Sequence, residues 1–494
     1  MTTRKKVAFA APQAALDIAS RLRGAGHTAY FCGGAVRDAI MGKTPKDYDI
    51  ATSATPDRIE ALFDKTIPVG RAFGVMLVEG GDGVFYETAA FRSDGRYIDG
   101  RRPEEVAFSR PEEDAKRRDF TLNALFYDPE TGTVIDYVGG LEDISRRLLR
   151  TVGDARERFA EDRLRLLRAV RFAARTGFEI ESGAWAAIGE MAAQSALVSP
   201  ERIAAELEGM LTGGASRASF DLLKRSGMLF HVLPEVEALA GVEQPPDFHP
   251  EGDVWEHTLL LLEELDAARS GRPIPPDRSA FGDVDAARGM TGGDFTAEEY
   301  VAGVLECRER MGEALRLALP WAALLHDIGK PGAFSVSDRI RFNNHDQEGA
   351  ALAGETLRRL RRPRRLVETV ADLIGRHMHF ANLRRMRTGK LRHWLADPSF
   401  PAHLELHRLD CMASHRMLAN WQFGLTRWRT ELATPPPREP LIGGKDLLAL
   451  GMRPGPGVGA LLRAIDDARL EGEVTDREGA LEMALRLIRR GAPS

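Results

Sequence analysis

Two aspartates, Asp47 and Asp49, stand at i and i+2 in KDYDIAT, and a short way upstream Gly33 and Gly34 follow an apolar run. Alternate residues of a strand face one side, so this spacing projects both carboxylates together. Adjacent carboxylates raise each other's pKa unless a cation lies between them. Mg2+ suits such a pair, because it takes hard oxygen ligands that it shares with substrate phosphates. Gly33-Gly34 falls where a strand ends and a helix opens near Val36. Glycine there lets backbone N–H groups approach a phosphate at the helix N-terminus, with Arg37 adding a cation. Alone, each half reads as a turn or a solvated strand edge. As one unit they describe a phosphoryl-transfer site: glycines for a triphosphate and acids for two metals that activate a hydroxyl and stabilise pyrophosphate.

A second set lies far downstream. HPEGDVWEH ends on His257, LLHDIGK holds His326-Asp327, and His345, His377 and Asp410 follow. An adjacent His–Asp at the end of an apolar helix packs poorly, since buried charges must be paired. A metal satisfies imidazole and carboxylate at once, and the more distant His and Asp can close its shell. A third set is basic: Arg358, Arg359, Arg361, Arg362, Arg364 and Arg365, then Arg384, Arg385 and Arg387. It reads either as a solvated helical face or as a phosphate-contacting surface that adds affinity without reading sequence.

The elements that must position these residues follow from pattern. At 494 residues the chain exceeds one core and suggests three or four units. Residues 28–140 mix strand-like runs (28–32, 48–52, 74–78, 84–90, 133–137) with helices and turns, and beyond about residue 150 amphipathic helical periodicity dominates. The expectation is an α+β head on a long α-helical body. Residues 267–296, rich in Gly, Pro, Asp and Arg, read as a surface insertion, and Pro435-Pro436-Pro437 marks a break before the last segment. No apolar run approaches membrane-spanning length. The basic-then-apolar N-terminus is interrupted by Pro12, Gln13 and Asp17, so it reads as the first helix of a cytoplasmic protein rather than a leader. The three scattered cysteines form neither a disulfide framework nor a zinc spacing. A net charge of −5 excludes a generally sticky polycation but not local nucleic-acid contacts.

GGAVRDAIMGKTPKDYDIAT resembles the G-G-x-V-R-D…D-x-D-x-x-T signature of the class II tRNA nucleotidyltransferase and poly(A) polymerase family. KRRDFTLNA at 116–124 resembles that family's R-R-D-F-T-x-N-A segment. EDRLRLLRAVRF at 161–172 and ERIAAEL at 201–207 resemble its E-D-x-x-R-x-L-R-x-x-R-F and E-R-I-x-x-E-L helices. The resemblance implies Asp47 and Asp49 as catalytic Mg2+ ligands, with Gly33, Gly34, Arg37 and Asp38 around the triphosphate. Arg117, Arg118, Asp119 and Asn123 join them through the R-R-D segment. It assigns Asp162 and Arg165 to the Watson–Crick edge of the incoming nucleotide. There a guanidinium donates and a carboxylate accepts from the exocyclic amine that C and A carry at a position where U and G lack one. Asp162, Arg165 and Arg168 are expected on one helical face, with Arg168 and Arg171 reaching phosphates or the primer end. Glu87 is either a third carboxylate or a partner of Arg92. Residues 91–103 fill the place of a mobile loop that CC-only members lack.

The order His257, His326-Asp327, Asp410, with His345 and His377 between, resembles the HD phosphohydrolase superfamily and its two-metal members. The expected architecture is therefore α+β: a nucleotidyltransferase head with a small mixed β-sheet (1–150), then an elongated all-α body. The body comprises a helical nucleotide- and RNA-binding neck (151–240), an HD-type metal domain of unassigned metal carrying the 267–296 insertion (241–433), and a helical, RNA-binding tail (434–494). The glycine-rich stretches at 441–447 and 451–459 read either as a phosphate nest or as helix caps. The implied activity is untemplated addition of C, C and A to a tRNA 3′ end from CTP and ATP, with an additional HD phosphatase or cyclic phosphodiesterase activity. The alternatives are a poly(A) polymerase, an A-adding tRNA nucleotidyltransferase, or an HD phosphohydrolase with an RNA-binding head.

Overall fold

A computed structural model describes residues 2–95, 105–275, 295–433 and 440–489. It divides into two units, Met1–Pro234 and Glu235–Ser494. The first holds an eight-stranded sheet built from β1 (Thr3–Lys6), β2 (Ala29–Cys32), β3 (Asp49–Thr52), β4 (Thr66–Gly70), β5 (Val75–Glu79), β6 (Phe85–Ala90), β9 (Leu125–Asp128) and β10 (Thr133–Asp136). A separate hairpin pairs β7 (Arg92–Asp94) with β8 (Val106–Phe108). The sheet runs β1–β10–β9–β2–β3–β6–β5–β4. Only the β3–β6 pair is parallel, so the sheet is mixed, as expected.

The helix Gln13–Gly24 presents Ala15, Ile18, Ala19 and Leu22 to one sheet face, where they pack with Phe31, Ile50, Met76 and Val78. Burying these side chains supplies the main drive for the layer, at roughly 25 cal/mol per Å2 of apolar surface. The N-terminal reading gains a strand: β1 precedes this helix and pairs with β10. After the sheet, the helix Leu164–Thr176 buries Leu166, Leu167, Ala169 and Val170 and packs on Pro200–Thr212 and Ser216–Arg225.

Among its described residues the second unit is helical apart from a hairpin of Phe334–Val336 with Ile340–Phe342. Helices Val254–Arg269, Glu313–Leu325, His345–Arg359, Arg364–Gly375 and Phe400–Ala413 pack around a core containing Leu261, Trp321, Leu324, Val370 and Leu409. Three C-terminal helices, Gly444–Ala449, Pro456–Glu471 and Arg477–Arg489, enclose a core of Leu447, Leu461, Ile465 and Ala484. No described helix is long and apolar enough to cross a membrane.

Several local expectations are corrected. Residues 267–269 belong to the helix that ends at Arg269, and a capping box of Thr296 and Glu299 opens the next. The rest of the insertion at 276–294, the 96–103 part of the proposed loop and the proline break lie outside the described residues. The 358–365 arginines do not form one helical face. Arg358 and Arg359 close one helix, Arg361 takes a left-handed turn (φ 53°), and Arg364 opens the next. Cations at a helix C-terminus complement its dipole. Of the two readings of the tail glycines, helix starts are observed: Gly443 N donates to Asp446 Oδ2 at 2.7 Å, and Gly455 precedes Pro456–Glu471.

Candidate active site and metal centre

β2 ends on Cys32, which is in register with Asp49 at the start of β3. Gly33 then turns with φ 70°, a left-handed conformation that glycine adopts without strain, and caps the helix Gly34–Ile40. A Cβ on Gly33 would lie 3.5 Å from Arg118 Nη1 and 3.9 Å from Asp49 Oδ2, so the glycine turn, a guanidinium and an acid meet at one point. Asp47 lies in the loop just before β3 rather than on the strand, and is exposed, as is Glu87. Because Ile50 pairs with Thr88 in the parallel β3–β6 ladder, Asp49 and Glu87 precede that pair side by side. Burial and the charge of Glu87 push the Asp49 carboxyl up to about 6, with Asp47 adding and Arg118 opposing. An acid raised by its acidic neighbours is an arrangement that a cation relieves. Arg92 pairs with Asp94 at 3.0 Å.

Arg37 is more deeply used than expected. It is 2% exposed, donates to Asp38 Oδ1 through Nε (2.8 Å) and Nη2 (2.7 Å), and donates to Asn123 Oδ1 through Nη1 (2.7 Å). Asn123 Nδ2 donates to Asp119 Oδ1 at 3.2 Å, and Asp119 Oδ2 accepts from Arg168 Nε at 2.8 Å. Burial raises the Asp119 carboxyl, but Arg168 and the Phe120 N–H outweigh it and hold it below the usual range. Five residues singled out from three motifs (Arg37, Asp38, Asn123, Asp119, Arg168) thus form one chain of hydrogen bonds, buried except at the half-exposed Arg168. Arg117 and Arg118 share a support that the sequence reading missed, Asp114. This carboxylate, 1% exposed, accepts from Arg117 Nε (2.9 Å) and from Arg118 Nε (3.1 Å) and Nη2 (3.0 Å).

Asp162 is not on the helix with Arg165 and Arg168. It stands in a break between Ala155–Glu161 and Leu164–Thr176, with extended backbone (φ −142°, ψ 104°). Its Oδ1 accepts from Leu164 N at 3.1 Å, and its Oδ2 from Arg202 Nη2 at 2.7 Å. Arg165 is 8% exposed and donates to Glu161 Oε2 (2.6 Å) and to the carbonyls of Arg158 and Arg117. One turn beyond Arg202, Glu206 Oε2 accepts from Arg171 Nε at 2.6 Å. The helix Pro200–Thr212 therefore holds both the Asp162 carboxylate and the Arg171 guanidinium. Their i, i+4 spacing in ERIAAEL was the available signal.

The six HD residues converge. His257 Nε2 faces His326 Nε2 at 3.3 Å and Asp410 Oδ1 at 3.3 Å. His345 Nε2 faces His377 Nε2 at 3.3 Å, with Asp327 Oδ1 3.6 Å from His345. Two groups, His257–His326–Asp410 and Asp327–His345–His377, each bring three ligand atoms within 4.8 Å. The outer nitrogens explain why. His326, His345 and His377 direct Nδ1 to the carbonyls of Ala323 (3.0 Å), Phe342 (2.7 Å) and Ile374 (2.6 Å). A carbonyl only accepts, so each Nδ1 carries a proton and each ring turns its Nε2 inward. Burial and the neighbouring His326 push His377 down to about 4, keeping it neutral. Ring nitrogens facing each other at 3.3 Å beside the carboxylates of Asp327 and Asp410 make a donor set that fits a metal centre.

His257 differs. Burial pushes it down, but hydrogen bonds to Asp410 and Glu251 and the charges of Asp410 and Asp327 raise it to about 9 in the metal-free protein. Raised above its ordinary 6.5, it keeps its extra proton as pH climbs from about 6.5 and loses it only through about 9. Ligation requires the neutral ring. Metal binding near pH 7.5 is thus expected to expel about one proton from this site, and fewer near pH 10. Calorimetry in buffers of different ionisation enthalpy measures that number, and no proton release at pH 7.5 would contradict it.

The unit thus sets a glycine turn beside Asp49 and Glu87, with a fixed carboxylate, Asp162, in the break before the helix that carries Arg165. Residues 29–150 match the poly A polymerase head domain family, residues 177–239 the family described as probable RNA and SrmB-binding site of polymerase A, and residues 301–406 the HD domain family. The CCA-adding enzyme of Geobacillus kaustophilus is 48% identical over 225 residues, 45% of this chain and 55% of that one. That of Bacillus subtilis is 45% identical over 255 residues, 50% of this chain and 64% of that one. The chain thus spans roughly half to two thirds of the length of the curated relatives it matches. A crystal structure of the Bacillus stearothermophilus CCA-adding enzyme in complex with CTP superposes with a TM-score of 0.66 at 28% identity, covering 97% of this chain and 98% of that one. The Thermotoga maritima CCA-adding enzyme complexed with tRNA_CCA shares the fold, with a TM-score of 0.55 at 17% identity over 99% and 100% of the two chains. The chain thus carries a poly A polymerase head domain, the RNA-binding segment that follows it and, in its C-terminal half, an HD domain.

Proposed function

We propose that this protein adds C, C and A to the 3′ end of tRNA from CTP and ATP without a nucleic-acid template, in the cytoplasm. Its three buried free thiols suit a reducing compartment. The observation that carries the reading is the pairing of Asp162 with Arg202 beside the pinned Arg165. A carboxylate and a guanidinium, each fixed by protein partners before substrate arrives, form a rigid acceptor–donor edge that complements C and A. Asp47 and Asp49 hold Mg2+ in this reading, with Glu87 as third carboxylate. When bound, the metal lowers the pKa of the attacking 3′-hydroxyl and neutralises charge on the departing pyrophosphate. The Gly33 turn and Arg118 seat the triphosphate, the Arg37–Asn123–Asp119 chain keeps that wall rigid, and Arg168 and Arg171 face the primer end. The exposed Arg358, Arg359, Arg361, Arg364 and Arg365 supply salt-dependent contacts to the tRNA backbone.

The facing imidazole pairs support a second activity at the HD site, hydrolysis of phosphate esters with a divalent metal held by His257, His326, Asp327, His345, His377 and Asp410. The test of the first activity is direct. Incubated with tRNA lacking its 3′ CCA and each labelled NTP, the protein is expected to add two C and then one A, and to stop. Long A-only tails would make it a poly(A) polymerase. Incorporation of A alone, only onto tRNA ending in CC, would make it an A-adding enzyme.

A further inference from the structure

We infer that Glu251 is a positioning residue for the HD metal centre, fixing the His257 ring through Nδ1 so that Nε2 points at the metal. The inference rests on the metal-binding reading of the HD site proposed above. Three of the four inward-facing histidines anchor Nδ1 on the carbonyl three residues upstream. His257 cannot do so. It lies in the first turn of Val254–Arg269, where the carbonyl three residues upstream, that of Val254, accepts from Thr258 Oγ1 at 2.8 Å. An acceptor must come from outside the helix, and the HPEGD loop provides it.

Glu251 Oε1 receives His257 Nδ1 at 2.7 Å and His249 Nδ1 at 2.8 Å, from rings lying at 90° to each other. Each residue of the loop has a task in this geometry. Gly252 takes φ +126°, a left-handed value that turns the chain between Glu251 and the helix. Asp253 caps the helix by accepting from Glu256 N at 2.9 Å. The Glu251 side chain is 6% exposed, and its Oε2 is buried without a hydrogen-bond partner. A half-satisfied buried carboxylate is costly, so its position is defined by the two imidazole N–H groups that meet on Oε1. His249 thereby becomes the second anchor of the same acid. A carboxylate behind a ligating histidine also makes the ring a stronger donor.

The experiment titrates Co2+ into the metal-stripped full chain, against a competing chelator. Glu251→Gln is expected to weaken Co2+ binding at the HD site by about 10–100-fold, while Glu256→Gln binds as the parent does. In the metal-free protein, the downfield Nδ1–H resonance of 15N-labelled His257 is expected to move in Glu251→Gln, with those of His326, His345 and His377 unchanged. Parent-like Co2+ affinity together with an unmoved His257 resonance would overturn the inference. If Glu251→Gln fails to fold, His249→Phe serves instead, with a smaller loss expected in the same direction; parent-like affinity there also overturns it. Should the parent and His326→Ala bind Co2+ alike, the metal reading itself falls, a result distinct from failure of the Glu251 role.

Discussion

Asp49→Asn is expected to lower CTP incorporation onto tRNA by roughly 10³-fold or more, the scale of losing a charged group that acts on the reacting atoms. Asparagine keeps the volume and one carbonyl oxygen, so the β3 register with Cys32 and the fit beside Gly33 survive. What is lost is the negative charge that Glu87 and Asp47 crowd and a cation would relieve. The deficit should lie in the chemical step, with CTP affinity changed little and Co2+ binding at the HD site unaltered. Rapid-quench incorporation with separate nucleotide- and metal-binding titrations makes that separation. Activity within tenfold of the parent would remove Asp49 from the catalytic set.

The second large effect concerns choice of base. Arg202→Met is expected to release the Asp162 carboxylate from its 2.7 Å partner, and discrimination of CTP over UTP should fall by about 10–100-fold, corresponding to ~1–3 kcal/mol for one good base contact. Total turnover with CTP should fall less than selectivity. Asp162→Asn should lose comparable selectivity, and the double variant should lose little more, because both changes break one interaction. Single-turnover kcat/KM for CTP, UTP, ATP and GTP measures each ratio. Additive losses would show that Arg202 and Asp162 act separately.

Sequence patterning exposed the nucleotidyltransferase unit because its chemistry is local: the GG turn and the paired acids sit within twenty residues, and a period of two or a helix start places them. It misjudged Asp47 and Asp162 for a shared reason. Both lie at element ends, where a tertiary or capping interaction decides the backbone; Asp162 is extended because its carboxylate serves Leu164 N and Arg202. Strands β4 and β9 were passed over. The first, TIPVG, contains a proline and forms the edge of the sheet, and the second runs out of the R-R-D motif without a turn signal. Asp114 was illegible, since three acids at the start of Pro111–Lys116 read as ordinary helix-dipole partners. The HD ligands were legible only through their order, spread from His257 to Asp410. The role of HPEGD emerged once the missing acceptor for His257 could be seen.

The helix Pro200–Thr212 carries a further consequence. Its two grips, on Asp162 and on Arg171, leave it four residues apart, so the hold on that carboxylate and the hold on that guanidinium share one helical repeat. Adding one residue among Ile203, Ala204 and Ala205 would swing one grip about 100° around the axis relative to the other, since a turn takes 3.6 residues. Substitutions that leave the helix intact change the strength of either grip alone, but a change in its length uncouples them. This short segment is thus a ruler whose tolerance is to composition and not to count.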